Sequence, residues 1–231
     1  MRKIGLALIL SALLVLGFLG WRYDGSDASE SQNEAVKIIE SNLEATGDTA
    51  RPRPPLPWAQ KDPTSSGNTD VKIIVKSPEP KPKKIKVDGK YYDSVGLLSI
   101  PKIGLKNEAV VYNFTQAALD EGLIASMGTP GLVGNFVVIG HVVTRGEVFR
   151  DLKNLRKGDT VAVRTNAGTF TYRIRGGPVT IVDTDTWVLR DNPSKTKGLK
   201  ATKSVITLLT CAERYHSDRR IAVFGDLVVS P

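Results

Sequence analysis

The pattern of apolar and polar positions divides the chain into three stretches of different character. Ile4 to Trp21 is an apolar run of 18 residues with no charge in it. Its length falls within the roughly 17–25 residues a helix needs to cross a bilayer. Residues 22–90 show little periodicity, with one exception. In "SESQNEAVKIIESNLEATG", Ser31 and Glu34 have the spacing of a capping box, and Val36, Ile39 and Leu43 share a helical face. That predicts a short, marginal helix with nothing to pack on. The segments "RPRPPLPWAQKDPTSSGNTD" and "KSPEPKPKKIK" then favour extended polyproline and flexible backbone.

From Tyr91 the pattern becomes one of short β-like runs separated by turn signals. "VGLLSI", "NEAVVY", "FVVIG", "TVAVRT", "TFTYRIR", "PVTIV", "SVITLLT" and "IAVFGDLVV" read as strands, and "NAG" between the fourth and fifth as a hairpin loop. Two helical segments interrupt them. "TQAALDEG" carries a capping threonine, Thr115, and "EVFRDLKNL" places Val148, Leu152 and Leu155 on one face. About eight strands with few helices predict a mainly β fold, a small closed barrel or a sandwich, rather than alternating βαβ units.

Charge places the chain in space. Arg2 and Lys3 precede the apolar run and only Arg22 follows closely, so the positive-inside rule keeps the N-terminus in the cytoplasm and exports the remainder. Trp21 and Tyr23 fit an interfacial belt. A cleaved signal peptide is the alternative, but the run is long for one and Phe18 sits badly for a cut after Gly20. The expected organisation is a single-pass membrane anchor over residues 1–22, an extracytoplasmic and largely disordered stalk over 23–90, and a globular domain over 91–231. The net charge of +8 is spread out, with no dense basic run interleaved with aromatics, so it suits a cell wall or membrane face and argues against nucleic acid.

Export changes the meaning of the single cysteine, Cys211. Exported cysteines are usually paired, and a lone one is either a small buried hydrophobe or a thiol kept for chemistry. A thiol attacks as a thiolate and needs a base or cationic neighbours. Of the two histidines, His216 lies in the polar loop "AERYHSDRR" and reads as solvated. His141 ends the apolar run "FVVIG", where a rigid strand presents a side chain; a catalytic base and a backbone-bonded structural residue are equal readings for it alone. Arg220 heads the strand "RIAVFGDLVV", beside the thiol's strand if the two form a hairpin, and is placed to meet an oxyanion. Arg219 should point to the opposite face, and either arginine could be a plain surface cation.

Several segments then carry a family resemblance. "TLLTC" at 207–211 resembles the T-L-x-T-C signature of the sortases. "GNFVVIGHVVTRGEVFRDLKNLRKGDTVAV" resembles the sortase segment around its histidine, and "GLLSIPKIGL" and "TPGLVGN" resemble the opening strands and the loop before the histidine. The match runs over roughly residues 94–229 and is nearest to the class E type, with its short cysteine loop. The resemblance implies a membrane-anchored cysteine transpeptidase on a closed eight-stranded sortase-like β-barrel. It implies cleavage of an LPxTG-like or LAxTG-like sorting signal between threonine and glycine, through a thioester on Cys211. His141 would serve as acid and base, Arg220 would stabilise the oxyanion or orient the peptide, and Thr210 would touch the substrate or support the cysteine strand. The implied partners are surface proteins bearing the signal and an amine from a peptidoglycan precursor or a pilin lysine.

Two rivals remain: a thiol hydrolase of the envelope without an amine acceptor, and a non-catalytic anchored β-domain with a packed cysteine. An L,D-transpeptidase fails at the motif, since Leu208, Leu209 and Thr210 precede the cysteine where that family places histidine and glycine. No Cys/His zinc cluster can be assembled from one cysteine and two histidines. Glu147, Asp151 and Asp183 suit calcium by type only, so no metal site and no cofactor are expected.

Overall fold

A computed structural model of the chain describes residues 30–45, 80–143, 146–212 and 218–229. The expected anchor lies outside the described residues, as does His216. Among the described residues no helix is long and apolar enough to cross a membrane.

The described residues hold a ten-stranded sheet that closes on itself. In chain order the strands are β1 (Lys83–Val87), β2 (Lys90–Ile100), β3 (Leu105–Tyr112), β4 (Ile124–Met127), β5 (Gly134–Ile139), β6 (Thr160–Thr165), β7 (Gly168–Ile174), β8 (Val179–Val182), β9 (Ser204–Cys211) and β10 (Arg219–Val229). Helix α1 spans residues 30–45 and α2 spans Gln116–Asp120. The strand order β2-β3-β4-β5-β9-β10-β7-β6 returns from β6 to β2, which makes the closed eight-stranded ring the sequence predicts. β1 and β8 stand outside that ring, on β2 and β10 respectively. Closure needs Gly96: its φ is +154°, and a Cβ there would lie 2.1 Å from the Arg164 carbonyl oxygen on the facing strand β6.

Every strand of the ring sends side chains inward. Leu98, Val110, Ile124, Phe136, Ile206, Val223, Tyr172 and Val163 are members of one buried cluster. Val148, Phe149, Leu152 and Leu155 join it from residues 146–155 and plug one end of the barrel. The three residues expected to share a face there are buried, but the segment is not the helix the spacing predicts. Glu147 has φ +48°, which no α-helix accommodates, and the segment runs as turns ending in a 3-10 turn at Leu152–Asn154. Thr115 caps α2 as expected, accepting from the Ala118 N–H at 3.2 Å.

Two strands escape the sequence pattern. β4 has only four residues, with a buried Ser126 whose hydroxyl donates to the Val111 carbonyl. β1 sits in the Lys-rich stretch ahead of Tyr91, with only Ile85 and Val87 buried.

The expectation that the helix at 30–45 has nothing to pack on is corrected. Ala35, Ile39 and Leu43 are buried against Ile85, Val87, Leu97, Ala109 and Val111, on the outer faces of β1, β2 and β3. Those strands are apolar on both faces, and α1 covers the outer one. Polar contacts fix the helix further: Gln32 donates to Glu108, the Asn107 side-chain amide donates to Glu40, and Arg164 pairs with Glu40. The Lys83 ammonium also donates to the Asn42 carbonyl at 3.3 Å, so the end of α1 meets the start of β1.

Two measurements check this packing. Ile39→Ala should lower the unfolding free energy by about 2–4 kcal/mol in urea titration, since it opens a cavity under the helix; a helix free of the barrel would leave stability unchanged. Tyr172, whose hydroxyl accepts from the Gly131 N–H at 2.8 Å, has its pKa pushed up to about 12 by burial. A raised folded-state pKa for an acid means the native state holds the proton longer. Its contribution is therefore complete below the ordinary tyrosine value of about 10 and is lost as pH rises from there towards 12. Tyr172→Phe should flatten the fall in stability over that interval in a pH series of urea titrations.

Candidate active site

The site begins with a pairing. β5 and β9 run parallel, with Val137 opposite Thr207, Val138 opposite Leu208 and Ile139 opposite Leu209. Cys211 ends β9 two residues beyond Leu209, and His141 follows two residues after β5 ends at Ile139, so the same register carried on brings the two residues level. Between them a lock is set: the Thr210 hydroxyl, buried, donates to the Gly140 carbonyl at 2.8 Å. The Gly140 N–H donates to the Leu209 carbonyl, and the His141 carbonyl accepts from the Phe149 N–H at 2.9 Å. The backbone is thus held on both sides of the histidine. Gly140 leaves no room for a side chain, since a Cβ would come within 2.6 Å of Val148 and 3.0 Å of Phe149.

The arginine comes from the other neighbour of β9. β9 and β10 are antiparallel, and Arg220 is directly opposite Cys211. Directly opposed residues share a face, about 4.5–5.5 Å apart at Cβ. That face is the outer one. Ala222 and Phe224, with the same parity as Arg220, join Ile181 and Val188 in a small cluster outside the barrel, whereas Val223 points inward. Arg220 is half-buried and donates to the Arg219 carbonyl at 2.9 Å. Arg219 is exposed and has the opposite parity, as expected from strand alternation.

Cys211 is a free thiol at the end of its strand and only partly covered. A cavity of about 370 Å³ opens against it, between Thr210, Ala212 and Ile221 on one side and Val142 and Phe149 on the other. The geometry therefore supplies a partly exposed thiol, an imidazole just past the end of one neighbouring strand and a guanidinium on the other. Thr210 faces the barrel interior beside Cys211 and is sealed from solvent.

Such a set can attack a carbonyl, hold the resulting oxyanion and exchange a proton with a leaving or incoming amine. The pattern of the Sortase domain family matches residues 98–228 of the chain. The chain belongs to the sortase family. Sortase SrtE1 of Streptomyces coelicolor is 31% identical over 140 residues, covering 57% of this chain and 40% of that protein. Sortase A of Bacillus anthracis is 27% identical over 135 residues, 58% of this chain and 60% of its own. This sortase therefore spans about half the length of those curated relatives. The crystal structure of Sortase E1 from Streptomyces coelicolor with a tripeptide in the active site superposes with a TM-score of 0.53 at 28% identity, over 60% of this chain and 90% of that one.

One positioning residue escaped the sequence reading. Asn135, at the start of β5, is buried and makes three bonds. Its amide donates to the Val188 and Arg190 carbonyls at 2.8 and 2.9 Å, and its carbonyl accepts from Thr207 at 2.7 Å. It ties the long β8–β9 connection to the sheet of this sortase. A polar residue inside the apolar stretch "GNFVVIG" was the available signal. Among the described residues no group of His, Cys, Asp and Glu is arranged to hold a metal.

The Thr210 lock is open to a direct check. Thr210→Val keeps the shape but strands the Gly140 carbonyl, and should cost about 1–3 kcal/mol of stability in urea titration. It should also change the alkylation rate of Cys211, and Thr210→Ser should restore both.

Proposed function

We propose that this chain is a membrane-anchored cysteine transpeptidase with its catalytic domain outside the cytoplasm. It cleaves an LPxTG-like or LAxTG-like sorting signal between threonine and glycine and transfers the protein to an amine. The observation that supports this reading is that Cys211 ends β9 directly opposite Arg220 and next to the parallel strand β5, whose end leads into His141, on a barrel whose sequence matches the sortase pattern.

The Cys211 sulfur attacks the threonine carbonyl carbon. Arg220, on the same face, stabilises the oxyanion or holds the peptide carbonyl that develops it. His141 protonates the departing glycine amine, and a thioester remains on the sulfur. An incoming amine then forms the new amide bond, its proton passing to His141 as the carbon–sulfur bond breaks. The acceptor in this reading is a peptidoglycan-precursor amine or a pilin lysine.

The test is incubation of the full chain with a panel of labelled sorting peptides, with and without glycine-based amines, read by mass. The expected result is release of the fragment beginning with glycine, and an amide-linked product that grows with amine concentration. Cys211→Ala should abolish both without loss of folding, His141→Ala should lower turnover by about 10²–10⁴-fold, and Arg220→Ala by about 10²–10³-fold. Cleavage that amines never divert would reduce the protein to a thiol hydrolase. Absence of cleavage across the panel would remove the assignment.

A further inference from the structure

The reactive end of the barrel has a second feature that the acyl-transfer chemistry does not use. The lining of the cavity against Cys211 includes three charged, exposed residues, Arg150, Asp151 and Lys153, all on the segment that plugs the barrel. They are not equivalent. Arg150 is held by Glu147 at 3.0 Å, so that pair is close to neutral as a unit. Asp151 accepts a hydrogen bond from the Asn154 amide at 3.2 Å, which leaves its negative charge in place. Lys153 forms no ion pair among the described residues. The wall therefore presents one carboxylate and one uncommitted ammonium to a space of about 370 Å³.

Its floor differs from the outer face on which Cys211 and Arg220 meet. Thr210, Ile221 and Phe149 line it, and these belong to the inward-facing set at the barrel end. Cys211 thus borders two regions: the outer face shared with Arg220, next to the apolar cluster of Ile181, Val188 and Phe224, and the charged cavity. An acyl group on the sulfur that rests along the first leaves the second open to a small polar nucleophile.

Resting on the transpeptidase reading above, we infer that the cavity is the acceptor subsite, and that it selects an amine whose molecule also carries a carboxylate, as an amino acid does. Asp151 draws the ammonium form into the cavity, and Lys153 pairs with the carboxylate. Once the amine is neutral, its nitrogen attacks the thioester carbon, the carbon–nitrogen bond forms, and the carbon–sulfur bond breaks. The nitrogen's proton passes through His141 to the sulfur, which leaves the amide and the free thiol. An alkylamine or an amidated amino acid satisfies only half of the wall.

The experiment compares acceptors in pairs that differ only in the carboxylate, glycine against glycinamide and triglycine against its amide, with one sorting peptide and the full chain. Both members of a pair are compared at equal concentration of neutral amine, since amidation lowers the amine's pKa. The free-acid form should be used up to about fivefold better at low salt, the upper scale of one exposed charge pair, with the ratio shrinking as salt rises. Lys153→Met should bring the ratio to about one, and Lys153→Glu should invert it. Asp151→Asn should weaken use of both members while keeping their ratio above one. Because each ratio is read within a single preparation, a partly unfolded variant does not mimic the result. A parent enzyme that cleaves the peptide but uses the two forms equally, or a ratio untouched in both Lys153 variants, overturns the inference. A parent enzyme that does not cleave the peptide overturns the transpeptidase reading instead.

Discussion

The site depends on one pairing, the parallel register of β5 and β9. Antiparallel neighbours can be joined by a short hairpin, but a parallel pair must be brought together by the rest of the fold. Here 64 residues separate Ile139 from Ser204 in sequence, and they contribute the plug, the β6–β7 hairpin, β8 and the long connection before β9. Only with that register do His141 and Cys211 reach the same level. The Thr210–Gly140 bond fixes the register where it matters, one residue short of both side chains. A slip of one residue would turn Cys211 into the barrel and Thr210 out of it.

The second constraint is that the barrel wall carrying the site is apolar on both sides. Inside, the ring strands fill their own core. Outside, the cover differs by region: α1 lies over β1, β2 and β3, while the 3-10 turn at Thr186–Leu189 packs on the outer face of β10 beside its edge partner β8, with Trp187 stacked on Phe224. The second cover borders the strand that ends at Cys211, and Asn135 anchors it from within the sheet. The first cover changes the meaning of the N-terminal third. The end of α1 and the start of β1 touch, through the Lys83 ammonium and the Asn42 carbonyl, so α1 belongs with the barrel.

Much of this was legible in the sequence because the signals were local. The β6–β7 hairpin announced itself through "NAG", the α2 start through Thr115, and the burial of Val148, Leu152 and Leu155, though not the form of their segment, through their spacing. That Cys211 and Arg220 would be neighbours was legible only on the condition that the two apolar runs flanking the polar loop form a hairpin, which the pairing of β9 with β10 meets. The docking of α1 was not legible in the helix itself, since Ala35, Ile39 and Leu43 make a weak stripe without a visible partner. The signal lay elsewhere: "VGLLSI" and "EAVVY" are continuous apolar runs, which strands adopt when both faces are buried. β4 had no such signal, being four residues long and specified by its neighbours. The Thr210 lock was half visible, as a polar residue beside the thiol, but its partner at Gly140 is a backbone carbonyl that no side-chain pattern encodes.

The spatial claim beneath the chemistry can be measured without any substrate. Adjacent parallel strands place level Cα atoms about 5 Å apart, inside the range a disulfide spans. His141→Cys would therefore set a second thiol beside Cys211. Mild oxidation of that variant should close an intramolecular disulfide between residues 141 and 211, detected by peptide mapping and by loss of both alkylatable thiols. Two thiols that stay free and alkylatable under oxidation, in a chain that remains folded, would contradict the register on which the site is built.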